Sequence, residues 1–133
     1  MRRLERAFLD RGKKFAHRMV DVAEAIPASQ GNLRLIGRVV DQLVGAGTSV
    51  GANLAEASEA ISRAEFCKCL STVLKELAES RFWLEFVGER GWIPSDRLIG
   101  LHGEAEELLR ICHVMLARTK QADRQRKKAK SED

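Results

Sequence analysis

The stretch GAGTSVGAN, with glycines at Gly45, Gly47 and Gly51, comes nearest to a chemical motif in this chain. A Gly-x-Gly run can cradle phosphate where it follows a strand and opens a helix, because the free amides of the helix start then point at the anion. Neither condition is met. Residues 33–44 already carry a helical apolar period, and it passes through the glycines to Ile61 without losing phase. The Gly-x-Gly-x-x-x-Gly spacing misses the dinucleotide pattern by one, and no Gly-Lys-Ser/Thr follows. In mid-helix the amides are bonded within the helix, so the glycines are expected to serve packing, not phosphate.

Other combinations are no closer to catalysis. Glu56, Glu76, Glu79 and Glu85 raise a di-metal carboxylate site, but that chemistry wants Glu-x-x-His on two helices. None of His17, His102 and His113 has a Glu three residues before it. Cys67 and Cys69 are two apart and point to different sides of a helix. With Cys112 they make an odd number, which reads as small buried hydrophobes instead of disulfides or metal ligands. No Ser/His/Asp or Cys/His arrangement has a local signature. The expectation is a protein that is not an enzyme and has no cofactor, metal or small-molecule substrate.

Charge is distributed unevenly. The net charge is +4, with residues 1–18 carrying +5, residues 118–133 +4 and the middle −5. In an antiparallel bundle the two basic ends meet at one pole. Arg2, Arg3, Arg6, Arg11, Lys13 and Lys14 then lie near Arg118, Lys120, Arg124, Arg126, Lys127, Lys128 and Lys130. Such a pole suits phosphate backbones. The tail has no interleaved aromatic residues, so base stacking is not indicated.

The elements that must position these groups are helical. Proline occurs only twice and tyrosine never, and good helix formers dominate. A first segment, about Arg3 to Ala25, sets Leu4, Phe8, Phe15, Met19, Val22 and Ile26 on one side, and Pro27 breaks it. The second, about Leu33 to Ala60, carries a seam of Ile36, Val40, Leu43, Gly47, Val50, Leu54, Ala57 and Ile61. Ser62-Arg63-Ala64-Glu65 reads as a capping box opening the third segment, which has Phe66, Leu70, Val73, Leu77, Leu84 and Val87 on its seam. Gly91 suits its C-terminus. Ser95 is the expected N-cap of the fourth, with Leu98, Leu101, Ala105, Leu108, Cys112 and Met115. Residues 1–120 are therefore expected to be an all-α, antiparallel up-down-up-down four-helix bundle. Residues 121–133 are expected to be a charged, disordered tail. No apolar run approaches the ~20 residues of a membrane span. The N-terminus lacks a signal-peptide core, so no membrane association and a cytoplasmic location are expected.

The second helix has two faces. Gly47 and Gly51 fall on the core seam and let a neighbouring helix approach. Gly45 falls opposite, with Arg38, Gln42, Ser49, Ala52 and Glu56, where small residues replace the long charged ones of a solvated face. Asn53 is placed to form a buried or interfacial hydrogen bond that fixes register. A face contacted from outside is expected, and a symmetric homo-oligomer is the commonest arrangement that supplies the contact.

The residues Gln42, Leu43, Ser49, Val50, Asn53, Leu54, Ala55, Glu56, Ser62, Phe66, Lys75, Glu76, Glu79, Trp83, Leu84 and Glu85 follow a recognisable pattern, with Ile26-Pro27 before them. Over about residues 8–118 the chain resembles the small four-helix bundle family first noticed as reading frames within intervening sequences of bacterial large-subunit ribosomal RNA genes. The resemblance implies homopentamers around a central channel. It extends to the accessory protein of diversity-generating retroelements, which implies RNA, DNA or a reverse-transcriptase-type protein as partner. Many relatives have a basic residue where this chain has Gly45, so a basic surface built there in relatives is weaker here. The implied role is an adaptor or scaffold. The alternative is a protein-partner module without nucleic acid, its basic pole only solubilising.

Overall fold

The computed structural model describes residues 4–27 and 33–132. They form four helices: α1 (Arg6–Ala25), α2 (Leu33–Ser58), α3 (Arg63–Glu89) and α4 (Ile99–Glu132). A single 3-10 turn (Ser95–Arg97) precedes α4, and there is no strand among the described residues. The all-α expectation is met.

The helices pack in chain order, α1 on α2, α2 on α3 and α3 on α4, with a smaller contact between α1 and α4. Burial follows the apolar period of each helix. Phe15 and Met19 of α1 meet Leu43, Val50 and Leu54 of α2, Leu70, Val73, Leu77, Leu84 and Val87 of α3, and Leu101, Ala105, Leu108 and Cys112 of α4 in one core. Each large apolar side chain removed from water contributes roughly 1.5–3 kcal/mol, which is what holds the helices against one another.

The α1–α2 contact depends on missing side chains. A Cβ at Gly47 would collide with Cβ and Cγ of Met19, and one at Gly51 would stand 3.3 Å from the carbonyl oxygen of Gly12. Gly12 is itself buried against Leu54. Two helices with glycine at their crossing can approach more closely than any side chain would permit.

The ends of α3 are built as expected. Ser62 Oγ accepts a hydrogen bond from the Glu65 amide at 3.1 Å, and Glu65 Oε2 accepts one from the Ile61 amide at 3.0 Å. At the other end Gly91 has φ +70°, and the Trp92 amide reaches back to the Val87 carbonyl at 3.1 Å.

Three expectations need correction. Ile61 is not a seam residue but 94% exposed, because α2 ends at Ser58 and the apolar period loses its meaning once the helix stops. Ser95 opens the 3-10 turn, not α4, which starts at Ile99. The segment 121–133, expected to be a disordered tail, is helical through Glu132. Its Lys, Arg, Gln and Ala residues are good helix formers, and the Lys127–Asp123 pair at 3.2 Å bridges adjacent turns. Continuing a helix needs no core, and the residues from Arg124 onward are exposed.

Candidate functional site

The outer face of α2 lies where the period places it. Arg38, Gln42, Gly45, Ala52 and Glu56 are exposed, and Ser49 and Asn53 are half-buried. Nothing lies within 4 Å of the position a Gly45 Cβ would take. Asn53 Nδ2 donates to the Ser49 carbonyl of its own helix at 2.8 Å, so within the chain Asn53 links no second element. These seven residues lie on one face of the helix, exposed but for Ser49 and Asn53.

Sequence reasoning missed what lies beside it. Trp83 of α3 lines a shallow groove with Arg38, Val39, Asp41 and Gln42. It also starts an aromatic cluster: Trp83 stacks edge-on with Phe82 at 5.0 Å and with Phe86 at 5.6 Å, and Phe86 meets Trp92 at 6.0 Å. Trp83 Nε1 donates to Glu79 Oε1 at 3.5 Å. Phe82 is 53% exposed. Trp83, Phe86 and Trp92 are half-buried. Phe82 was the available signal, since it lies off the seam set by Leu77 and Leu84. Leu33 and Leu35, at the start of α2, are also exposed, at 66% and 60%.

The basic pole is assembled in part. Leu4, Glu5 and Phe8 share a cleft with Ile111, Met115, Arg118, Thr119 and Ala122 of α4 and with Arg63 and Phe66 of α3, so the two basic ends do meet. Arg2 and Arg3 lie outside the described residues. Arg6, Lys13, Lys14, Arg118, Lys120, Arg124, Arg126, Lys127, Lys128 and Lys130 are exposed. Arg6 pairs loosely with Asp10 at 3.6 Å, and the Arg124 Nε donates to the Lys120 carbonyl at 3.4 Å.

Arg11 is differently placed. Its guanidinium binds Glu104 through Nη2 at 2.6 Å and Nε at 3.2 Å, and Glu107 through Nη2 at 3.4 Å. The hydrogen bond to Glu104 raises its already high pKa, against a smaller opposing effect of burial. Arg11 thus ties α1 to α4 and leaves little charge for an external phosphate.

The remaining titratable groups are dispersed. His102 faces Glu85 at 3.0 Å through Nε2 and Glu106 at 3.3 Å through Nδ1, in an open groove between α3 and α4. Ser95 lines the same groove, but both ring nitrogens of His102 face carboxylates and no hydrogen bond joins the two. Cys69 and Cys112 are buried. Burial pushes the Cys112 thiol up to about 12. It also raises Cys69, with Glu56 and Glu65 adding to the effect. Neither thiol is a nucleophile at neutral pH. Burial likewise raises the Glu76 carboxyl, helped by Glu79. Among the described residues no three His, Cys, Asp or Glu side chains are grouped to hold a metal ion, and no helix is long and apolar enough to cross a membrane.

Among curated proteins none matches the chain. A solved structure of a protein of unknown function, from the S23 ribosomal protein family of Bacteroides thetaiotaomicron, is similar at 27% sequence identity and a TM-score of 0.73. The match covers 82% of this chain and 97% of that one. The model of the 23S rRNA-intervening sequence protein family matches residues 8–114, which hold the seam of α2, the Ser62 cap and the aromatic end of α3. The chain belongs to the 23S rRNA-intervening sequence protein family.

Proposed function

We propose that this protein is a non-enzymatic homo-oligomeric bundle, an adaptor or scaffold that presents its basic pole to nucleic acid or a ribonucleoprotein in the cytoplasm. The observation that carries the reading is the largely exposed outer face of α2 with its aromatic neighbours. Trp83 lines a groove with Arg38, Val39, Asp41 and Gln42, at one end of the helix face that carries the small residues Gly45, Ser49 and Ala52. Phe82 is exposed next to Trp83. Exposed aromatic side chains are enriched in interface cores, and the small residues of α2 leave room for a partner to approach the helix closely. The up-down-up-down order is supported by Met19 meeting Gly47 while Gly12 meets Leu54, and by the start of α1 sharing a cleft with the end of α4. The family resemblance implies five copies, which on one side of a ring would multiply the field of the pole. The partner is RNA, DNA or a reverse-transcriptase-type protein.

The second reading, a protein-partner module with a solubilising pole, draws on the pairing of Arg11 with Glu104 and of Lys127 with Asp123, which lowers the charge available to phosphate. Salt-dependent binding of RNA or DNA to the full chain separates the two. Binding that falls steeply with salt supports the first, and absence of binding at low salt leaves only the second.

A further inference from the structure

The groove between the start of α3 and the extension of α4 draws its cations from two elements. Arg63, with Ser62 and Ala64, faces Asp123, Arg126, Lys127 and Lys130 across it. The four α4 residues stand at i, i+3, i+4 and i+7, one side of a helix. Arg124 and Lys128 fall on the opposite side. The basic character of the extension is therefore split, and one half is turned toward a fifth fixed charge on α3.

The acids near this groove offset only part of its charge. Asp123 is paired with Lys127 at 3.2 Å. Glu65 is engaged with the Ile61 amide at 3.0 Å. Arg126 and Lys130 lie one turn apart, about 6 Å along the axis. Arg63 carries a further signal: its Nη1 is buried and has no hydrogen-bond partner. A buried guanidinium nitrogen without an acceptor is unfavourable, and an anion seated in the groove would offset its charge. The helix start is not itself the feature, since Ser62 already caps the Glu65 amide.

We propose that this groove is the seat of a phosphodiester backbone, with Arg63, Arg126 and Lys130 as its phosphate contacts. This rests on the nucleic-acid reading above and assigns it to one face of the α4 extension. The face has no aromatic side chain, so the contact reads charge and not base identity.

The test compares two double variants of equal charge change in the full chain, Arg126→Ala with Lys130→Ala, and Arg124→Ala with Lys128→Ala. The probes are labelled single-stranded RNA and DNA oligonucleotides of mixed sequence, titrated over a salt series. Helix content is checked by circular dichroism. The groove pair should weaken binding about tenfold or more at low salt and flatten the log–log salt slope by roughly 1.4 for two lost contacts. The opposite pair should change both far less. Equal losses from the two pairs would overturn the groove while leaving nucleic-acid binding in place. No binding of either oligonucleotide by the unmodified chain would overturn both.

Discussion

Met19 of α1 rests directly on Gly47 of α2, so that a methyl group at position 47 would occupy the space of Met19 Cβ and Cγ. Two residues earlier on the same helix, Gly45 has nothing within 4 Å of the corresponding position. Neighbouring glycines thus have opposite reasons to be there, and alanine distinguishes them.

Gly47→Ala is expected to destabilise the chain. Overpacking against a core side chain costs about 1–3 kcal/mol, and only about 1 kcal/mol returns from better helix propensity. Gly45→Ala keeps the second effect and lacks the first, so it should stabilise the helix by about 0.5–1 kcal/mol. Gly12→Ala should cost less than Gly47→Ala, because the nearest atom is the far end of Leu54, not the root of a side chain. Urea midpoints of the three variants give the order.

Ser80 is fully buried with no hydrogen-bond partner for its hydroxyl. Ser80→Ala removes a polar group that gains nothing from burial. The expected result is a neutral or higher midpoint, by up to about 1 kcal/mol. A loss above that size would mean the hydroxyl has an acceptor.

Arg11→Gln should loosen α1 from α4. Its side chain is 35% exposed and that of Glu104 21%, so solvent screening limits the loss to about 0.5–1.5 kcal/mol. The loss should shrink in high salt. Glu104→Gln should reproduce it, and the double variant should fall short of the sum, which a thermodynamic cycle measures.

Cys112 makes the chain sensitive to alkaline pH. Its folded-state value lies near 12 against an ordinary 9.0. A raised folded value means that the unfolded chain loses its proton first, so stability is intact below about pH 9 and declines as pH rises towards 12. The slope from this thiol approaches about 1.4 kcal/mol per unit. Comparing the unmodified chain with Cys112→Ala across pH 8 to 11 isolates it: the difference in stability should narrow as pH rises.

Much of this was legible in the residues. The seams of α2 and α3 persist for several heptads, so burial of Leu43, Val50, Leu70 and Leu77 followed from spacing alone, and the Ser62 cap and Gly91 turn have local chemistry. Gly12 was legible in principle, since it fills the apolar period midway between Phe8 and Phe15, but a glycine adds nothing to a hydrophobic count. Arg11 with Glu104 joins residues ninety-three apart, and no local rule links such a pair. The helical extension past Lys120 was missed because an absent core period was taken to mean absent structure. The period of α2 places its outer face opposite the core, yet the aromatic neighbours of that face come from α3, and only the packing of α2 on α3 brings them there.

Assembly through the α2 face is the property on which the proposed role depends. The mass of the full chain in solution at micromolar concentration, by sedimentation equilibrium, decides it. A multiple of 14.9 kDa is predicted, with five copies as the family resemblance implies. A single species of 14.9 kDa would contradict the reading of the α2 face as an interface between copies.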